Sequence, residues 1–168
     1  MAEEIINRVA NSKLVTVDLE DYYPEGQRVI FDIKDWLYEG FVLREKDFRA
    51  QVKAYNWTQH QDQYIALTCS TDAIVPAWAF MLITIQLEPF AKLTLLGDLE
   101  TLETAIYQDI IANLDTTAFK DKPVIVKGCS KKPVPNNAYL MLSSKLKPIA
   151  KSILFGEACS SVPLFKNK

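Results

Sequence analysis

A chain of 168 residues is the size at which one hydrophobic core suffices, and a composition of 49% apolar, 11% aromatic and 24% charged residues is that of an ordinary globular chain and argues against disorder. A formal charge of −2 and a pI near 5.5 supply no long-range attraction for nucleic acid or an anionic membrane. Met1-Ala2-Glu3-Glu4 lacks the basic start of an export signal, no apolar run is long enough to span a bilayer, and three cysteines without paired spacing read as thiols, so a cytoplasmic location is expected.

In chain order, residues 14–18 and 28–31 are candidate strands and residues 33–38 a short helix. Residues 44–54 carry Phe48 and Val52 at helical spacing, which predicts an amphipathic helix. A β-prone run, 64–68, ends at Cys69. Pro76 then opens a helix that reaches about Glu88, because proline at the first helical position loses nothing by its missing N–H. That helix is apolar nearly all round and is expected to be the most buried. Pro89 ends it, and a strand at 92–96 closes on Gly97-Asp98. A second amphipathic helix, 99–113, turns Leu102, Ile106, Ile110 and Ile111 inward.

The succession then recurs. A strand at 124–128 ends at Cys129, Pro135 opens a helix to about Lys147, and a strand at 151–155 closes on Gly156-Glu157. Residues 76–98 laid over 135–157 give eight identities in 23 positions without a gap, where composition alone predicts about one or two. With one residue of loop difference the match extends back to Cys69-Ser70 over Cys129-Ser130. The expected architecture is a single α/β domain over residues 1–168, three-layer, with a mainly parallel sheet built from two duplicated βαβ units (64–98 and 123–157) and an N-terminal extension.

Parallel strands of one sheet send their carboxyl ends to one edge, where open α/β folds bind ligands. Cys69, Cys129, Cys159, Asp98 and Glu157 are therefore expected on a common rim. Each repeat cysteine precedes a helix N-terminus, whose free N–H groups favour a thiolate. Cys129 has Lys127, Lys131 and Lys132 for neighbours, whereas Cys69 has Thr68, Thr71 and Asp72, so Cys129 is the better candidate for a reactive thiol. The turn Cys159-Ser160-Ser161-Val162-Pro163 echoes the other two and is expected to fold back as a C-terminal lid or ligand loop.

Three readings of the cysteines stay open. They can be small buried apolar side chains. Three thiolates can hold zinc, iron or an iron–sulfur cluster, with Asp72, Asp98 or Glu157 completing the site. Cys129 can instead be a nucleophile or sulfur acceptor whose pKa is lowered by Lys127 or Lys132. The sequence has no CxxC, GxGxxG, Walker loop or HExxH. His60 is expected in a solvated polar loop, Trp78 in core packing, and Lys145, Lys147 and Lys151 on a wet helix face.

The stretches LREKDFR (43–49), CSTDAIVPAW (69–78), VKGCS (126–130) and GEACSSVPLFK (156–166) resemble an uncharacterised bacterial family of unknown function over most of the chain. The resemblance implies an accessory role beside the sulfur-mobilising iron–sulfur cluster assembly system, whose genes often neighbour those of the family, and it supplies no catalytic residue. The reading taken is an accessory protein that handles metal, sulfur or a cluster through its cysteines, with iron–sulfur assembly proteins as partners and without nucleic acid or membrane. A thiol-dependent transferase with Cys129 as nucleophile and an interaction module with inert cysteines are the alternatives. Monomer and homodimer both remain open, since a duplicated chain can build a pseudo-twofold site by itself.

Overall fold

A computed structural model describes residues 13–128 and 131–167. Cys129 and Ser130 lie outside the described residues, as do residues 1–12. The elements follow in the order β1 (Val15–Val17), β2 (Arg28–Asp32), α1 (Glu45–Ala54), β3 (Tyr64–Thr68), α2 (Ala77–Leu87), β4 (Leu93–Leu96), α3 (Leu99–Ala112), β5 (Pro123–Val126), α4 (Asn136–Leu146), β6 (Ser152–Glu157) and β7 (Ser160–Lys166). Residues 33–38, expected as a short helix, hold only a 3-10 turn at Lys34–Trp36. Among the described residues no helix is long and apolar enough to cross a membrane.

The described strands form two sheets rather than the single one expected. One runs β2-β3-β4, all parallel; the other runs β1-β5-β6-β7, parallel except for β7. The reason is that each N-terminal strand pairs with the first strand of a different repeat, Arg28 with Tyr64 and Val15 with Val124, so each repeat acquires a sheet of its own. The chain correspondingly divides into two compact units, one being Pro24–Glu103 and the other the chain through Tyr23 and from Thr104 onward. Each has its own core: Phe31, Phe48, Ile65, Ile83 and Leu87 in the first, Val17, Tyr107, Val124, Leu142 and Leu146 in the second.

The two strand-helix-strand pieces match in detail at a constant spacing of 59 positions. Tyr64 pairs with Leu93 as Pro123 pairs with Ser152. Pro76 and Pro135 precede their helices with φ/ψ of −68°/147° and −71°/149°. Asp62 and Asp121 adopt left-handed φ of 59° and 56°, and their N–H groups donate to Phe90 O and Ile149 O. Ala79, Ile83 and Leu87 bury the same stripe of α2 that Ala138, Leu142 and Leu146 bury on α4. The strand pairing carries this register through Leu67 and Val126, and extended along the sequence it sets Thr68 against Lys127 and Cys69 against Gly128, so the one residue of loop difference that aligns the two Cys-Ser pairs falls after the strands; Cys129 and Ser130 themselves lie outside the described residues.

Two further expectations change. Residues 160–166 are neither a lid nor a ligand loop: they form β7, antiparallel to β6, with Phe165 packed against the core of its unit. The turn is tight because Gly156 takes φ 120°, where a Cβ would meet Ser160 O at 2.7 Å. Helix α2 is not buried all round, for Met81 and Ile85 are 62% and 64% exposed. A helix lying on one sheet can bury only the stripe that faces it.

Candidate functional site

At the carboxyl ends of β1, β5 and β6 a polar cleft of about 330 Å³ is lined by Asp18, Asp21, Lys127 and Glu157 among others. Asp18 follows β1 and uses both carboxylate oxygens: Oδ1 accepts from the Glu20 N–H at 2.9 Å, capping a 3-10 turn, and Oδ2 meets Lys127 Nζ at 3.1 Å. The hydrogen bond to Asp18 and the negative charges of Asp18 and Glu157 hold the Lys127 ammonium above the usual lysine range. Lys127 is thus a fixed cation. Among the described residues its ion-pair partner is Asp18.

In the loops between strand and helix, several backbone amides are engaged by the protein's own carboxylates. Glu20 Oε1 accepts from the N–H of Lys131 and, at 2.7 Å, from that of Lys132. Asp32 Oδ1, at the end of β2, accepts from Ser70 N–H at 3.1 Å and Lys34 N–H at 3.0 Å. Burial raises the Asp32 pKa, but these hydrogen bonds outweigh it and hold the carboxyl below its ordinary value.

The residues assigned to a metal or thiol site divide between the units. Cys69, Asp72 and Asp98 belong to Pro24–Glu103; Lys127, Glu157 and Cys159 belong to the other, and Cys129 lies outside the described residues. The common rim expected of the cysteines is not formed by one sheet, because Cys69 follows β3 while the strand before Cys129 is β5. Cys69 is half-buried against its core, with Thr71 Oγ1 3.4 Å from its sulfur. Cys159 is exposed in the β6–β7 turn. Asp72 is exposed. Asp98 caps α3, accepting from Thr101 N–H at 2.8 Å and Thr101 Oγ1 at 2.7 Å, and these bonds lower its pKa. Among the described residues no three His, Cys, Asp or Glu side chains gather so as to hold a metal ion.

Other side chains also differ from expectation. His60 is not solvated but buried at 5% exposure, with Tyr55 Oη at 2.8 Å from one ring nitrogen and Gln63 Oε1 at 2.8 Å from the other. Its loop contains Trp57, which stacks on Phe31, and that aromatic packing draws the imidazole in. Lys145 is not on a wet face: its Nζ donates to Ile111 O and Ala112 O, the last carbonyls of α3. Trp78 packs edge-on against Phe48, as expected.

What the sequence did not disclose is an apolar groove of about 530 Å³ in the unit Pro24–Glu103, lined by Leu67, Val75, Phe80, Met81, Ile85 and Leu96 with Ala77 and Thr84. Leu96 is 58% exposed, and Met81 and Ile85, which line the same groove, are likewise uncovered. The available signal was the difference between repeats, since position 85 is Ile where its counterpart, 144, is Ser.

A family model matches residues 3–167, nearly the whole chain. The chain belongs to the DUF2480 family. That family is described as proteins of unknown function, so membership brings no assigned activity to any DUF2480 side chain named above. No curated protein and no solved structure gives a significant match.

Proposed function

We propose that this DUF2480 chain is a non-catalytic protein-interaction module that docks through the apolar groove of α2 and β4, its cysteines taking no part in chemistry. The groove is the observation that carries the reading. Eleven consecutive residues of α2 contain no charge, and their outward members are left in water beside Leu96, which is the arrangement of a contact surface. The carboxylates that accept from the Lys132 and Ser70 N–H groups and the Lys127–Asp18 pair support it from the other side, since these polar groups already have partners within the chain.

The resemblance implies a setting beside iron–sulfur cluster assembly, and in that setting the module acts as an accessory through contact rather than by ligating a cluster. We also infer that the two units descend from one copied piece, on the support of the constant spacing of 59 positions.

A photoreactive amino acid placed at position 85 tests the docking, because it should form protein adducts in cells of the source organism, and a complete lack of adducts overturns the proposal. Anaerobic purification of the wild type and the Cys69→Ser/Cys129→Ser/Cys159→Ser variant tests the cysteines. The expected result is no stoichiometric metal in either. Metal or cluster absorption present in the wild type and lost in the variant would overturn the inert-thiol reading.

A further inference from the structure

In the second unit the sheet does not end at β6. Strand β7 lies antiparallel along its outer side, and Phe165 from β7 joins the core of that unit. In the unit Pro24–Glu103 the strand that corresponds to β6 is β4, and among the described residues it pairs with β3 alone. Its other side is an open edge, next to the groove where α2 leaves Met81 and Ile85 exposed.

The two outer edges are also treated differently. β7 carries Pro163 and Lys166, and its pairing with β6 contains a register shift at Ile153/Leu154, the devices that keep an edge strand from recruiting another strand. β4 reads Leu-Thr-Leu-Leu, with no proline, charge or register shift. An apolar strand edge beside an exposed apolar helix face marks a surface that gains by being covered.

Resting on the docking reading above, we infer that the occupant is a second copy of this chain, its β4 laid antiparallel on the first so that two three-stranded sheets become one of six. A twofold axis makes the pairing antiparallel, the same sense in which β7 meets β6. The surface is self-complementary. Helix α2 has no charged side chain, so its outward face meets its own copy without like-charge repulsion. The flanks of β4 carry opposite charges: Lys92, which is exposed and donates to Glu25 O, lies at one end and Asp98 at the other. In a register centred on Leu95, each Lys92 faces the Asp98 of the second copy. Met81, Ile85 and Leu96, all more than half exposed in one chain, then bury one another.

The test is sedimentation equilibrium of the full chain across micromolar concentrations, on the wild type and on Ile85→Lys and Leu96→Lys. Both positions are exposed, so both variants should keep the wild-type circular dichroism. The wild type should reach twice the monomer mass of 19.1 kDa, and each lysine should weaken association at least tenfold. A wild type that dimerises just as tightly with either lysine present overturns the inference. So does a monomeric wild type, and the position-85 cross-linker then separates two cases. Adducts to a different protein would remove the second copy but keep the docking reading, whereas no adducts at all would remove both.

Discussion

Two isoleucines on α2, two positions apart, should respond very unequally to truncation. Ile83 is fully buried among Phe48, Ile65 and Leu87, while Ile85 is 64% exposed. Replacing Ile83 by Ala removes three buried carbons and leaves a cavity, which costs about 3 kcal/mol. The same change at position 85 removes carbons already in water and gains a few tenths of a kcal/mol of helix propensity, so its net effect is within about 0.5 kcal/mol. All three tryptophans, Trp36, Trp57 and Trp78, lie in the unit Pro24–Glu103, so their fluorescence in urea reports the unfolding of the unit that contains α2. At a dilution where the chain is monomeric, and with a slope of about 1.5 kcal/mol/M, Ile83→Ala should lower the midpoint by about 2 M and Ile85→Ala by less than about 0.4 M. Equal losses at the two positions would refute the one-stripe burial of α2 and with it the exposed groove.

Arg28 and Glu103 form an ion pair at 2.6 Å with side chains 10% and 6% exposed, so Arg28→Ala should cost about 3 kcal/mol in the same urea assay, and a loss below about 1 kcal/mol would count against a buried pair. Asp98 has a lowered pKa in the folded chain; its contribution is therefore present above the unfolded value of 3.8 and is lost as the pH falls through the folded one. Asp98→Asn keeps a capping oxygen but cannot titrate, and it should flatten the acid limb of stability below about pH 4 while changing little at pH 7. Gly156→Ala should destabilise the β6–β7 hairpin by about 1–3 kcal/mol, seen as faster amide exchange in 160–166; unchanged protection would contradict the close approach to Ser160 O. Cys159, exposed, should be alkylated faster than half-buried Cys69 in the native protein, by mass spectrometry of the labelled peptides.

Local structure was legible because its signals are local. Pro76 and Pro135 each open a helix, the β-prone run at 64–68 coincides with β3, and Phe48 and Val52 are buried as their spacing predicts. Pairing was not legible. Nothing in residues 14–18 or 28–31 says that one joins β5 and the other β3, so alternation suggested one sheet where there are two. Strand register has the same limit, since only the paired strands fix the spacing of 59 positions between the two pieces. His60 was misplaced because its polar sequence neighbours hid the rings of Phe31 and Tyr55 that surround it in space. For α2, an all-apolar helix reads as buried unless the number of elements available to cover it is known.

The order of strands along the polymer also governs how the molecule must assemble on a ribosome. β2, β3 and β4 emerge in succession, so the unit Pro24–Glu103 has every strand of its sheet before β5 is made. β1 is made before the other described strands and yet cannot meet β5 until the whole intervening unit has been translated, which gives that pairing the greatest loop-closure distance among the described strand pairs. Nascent Val15–Val17 is thus an early strand with a late partner, and slowing translation beyond residue 103 prolongs the interval in which it stands alone.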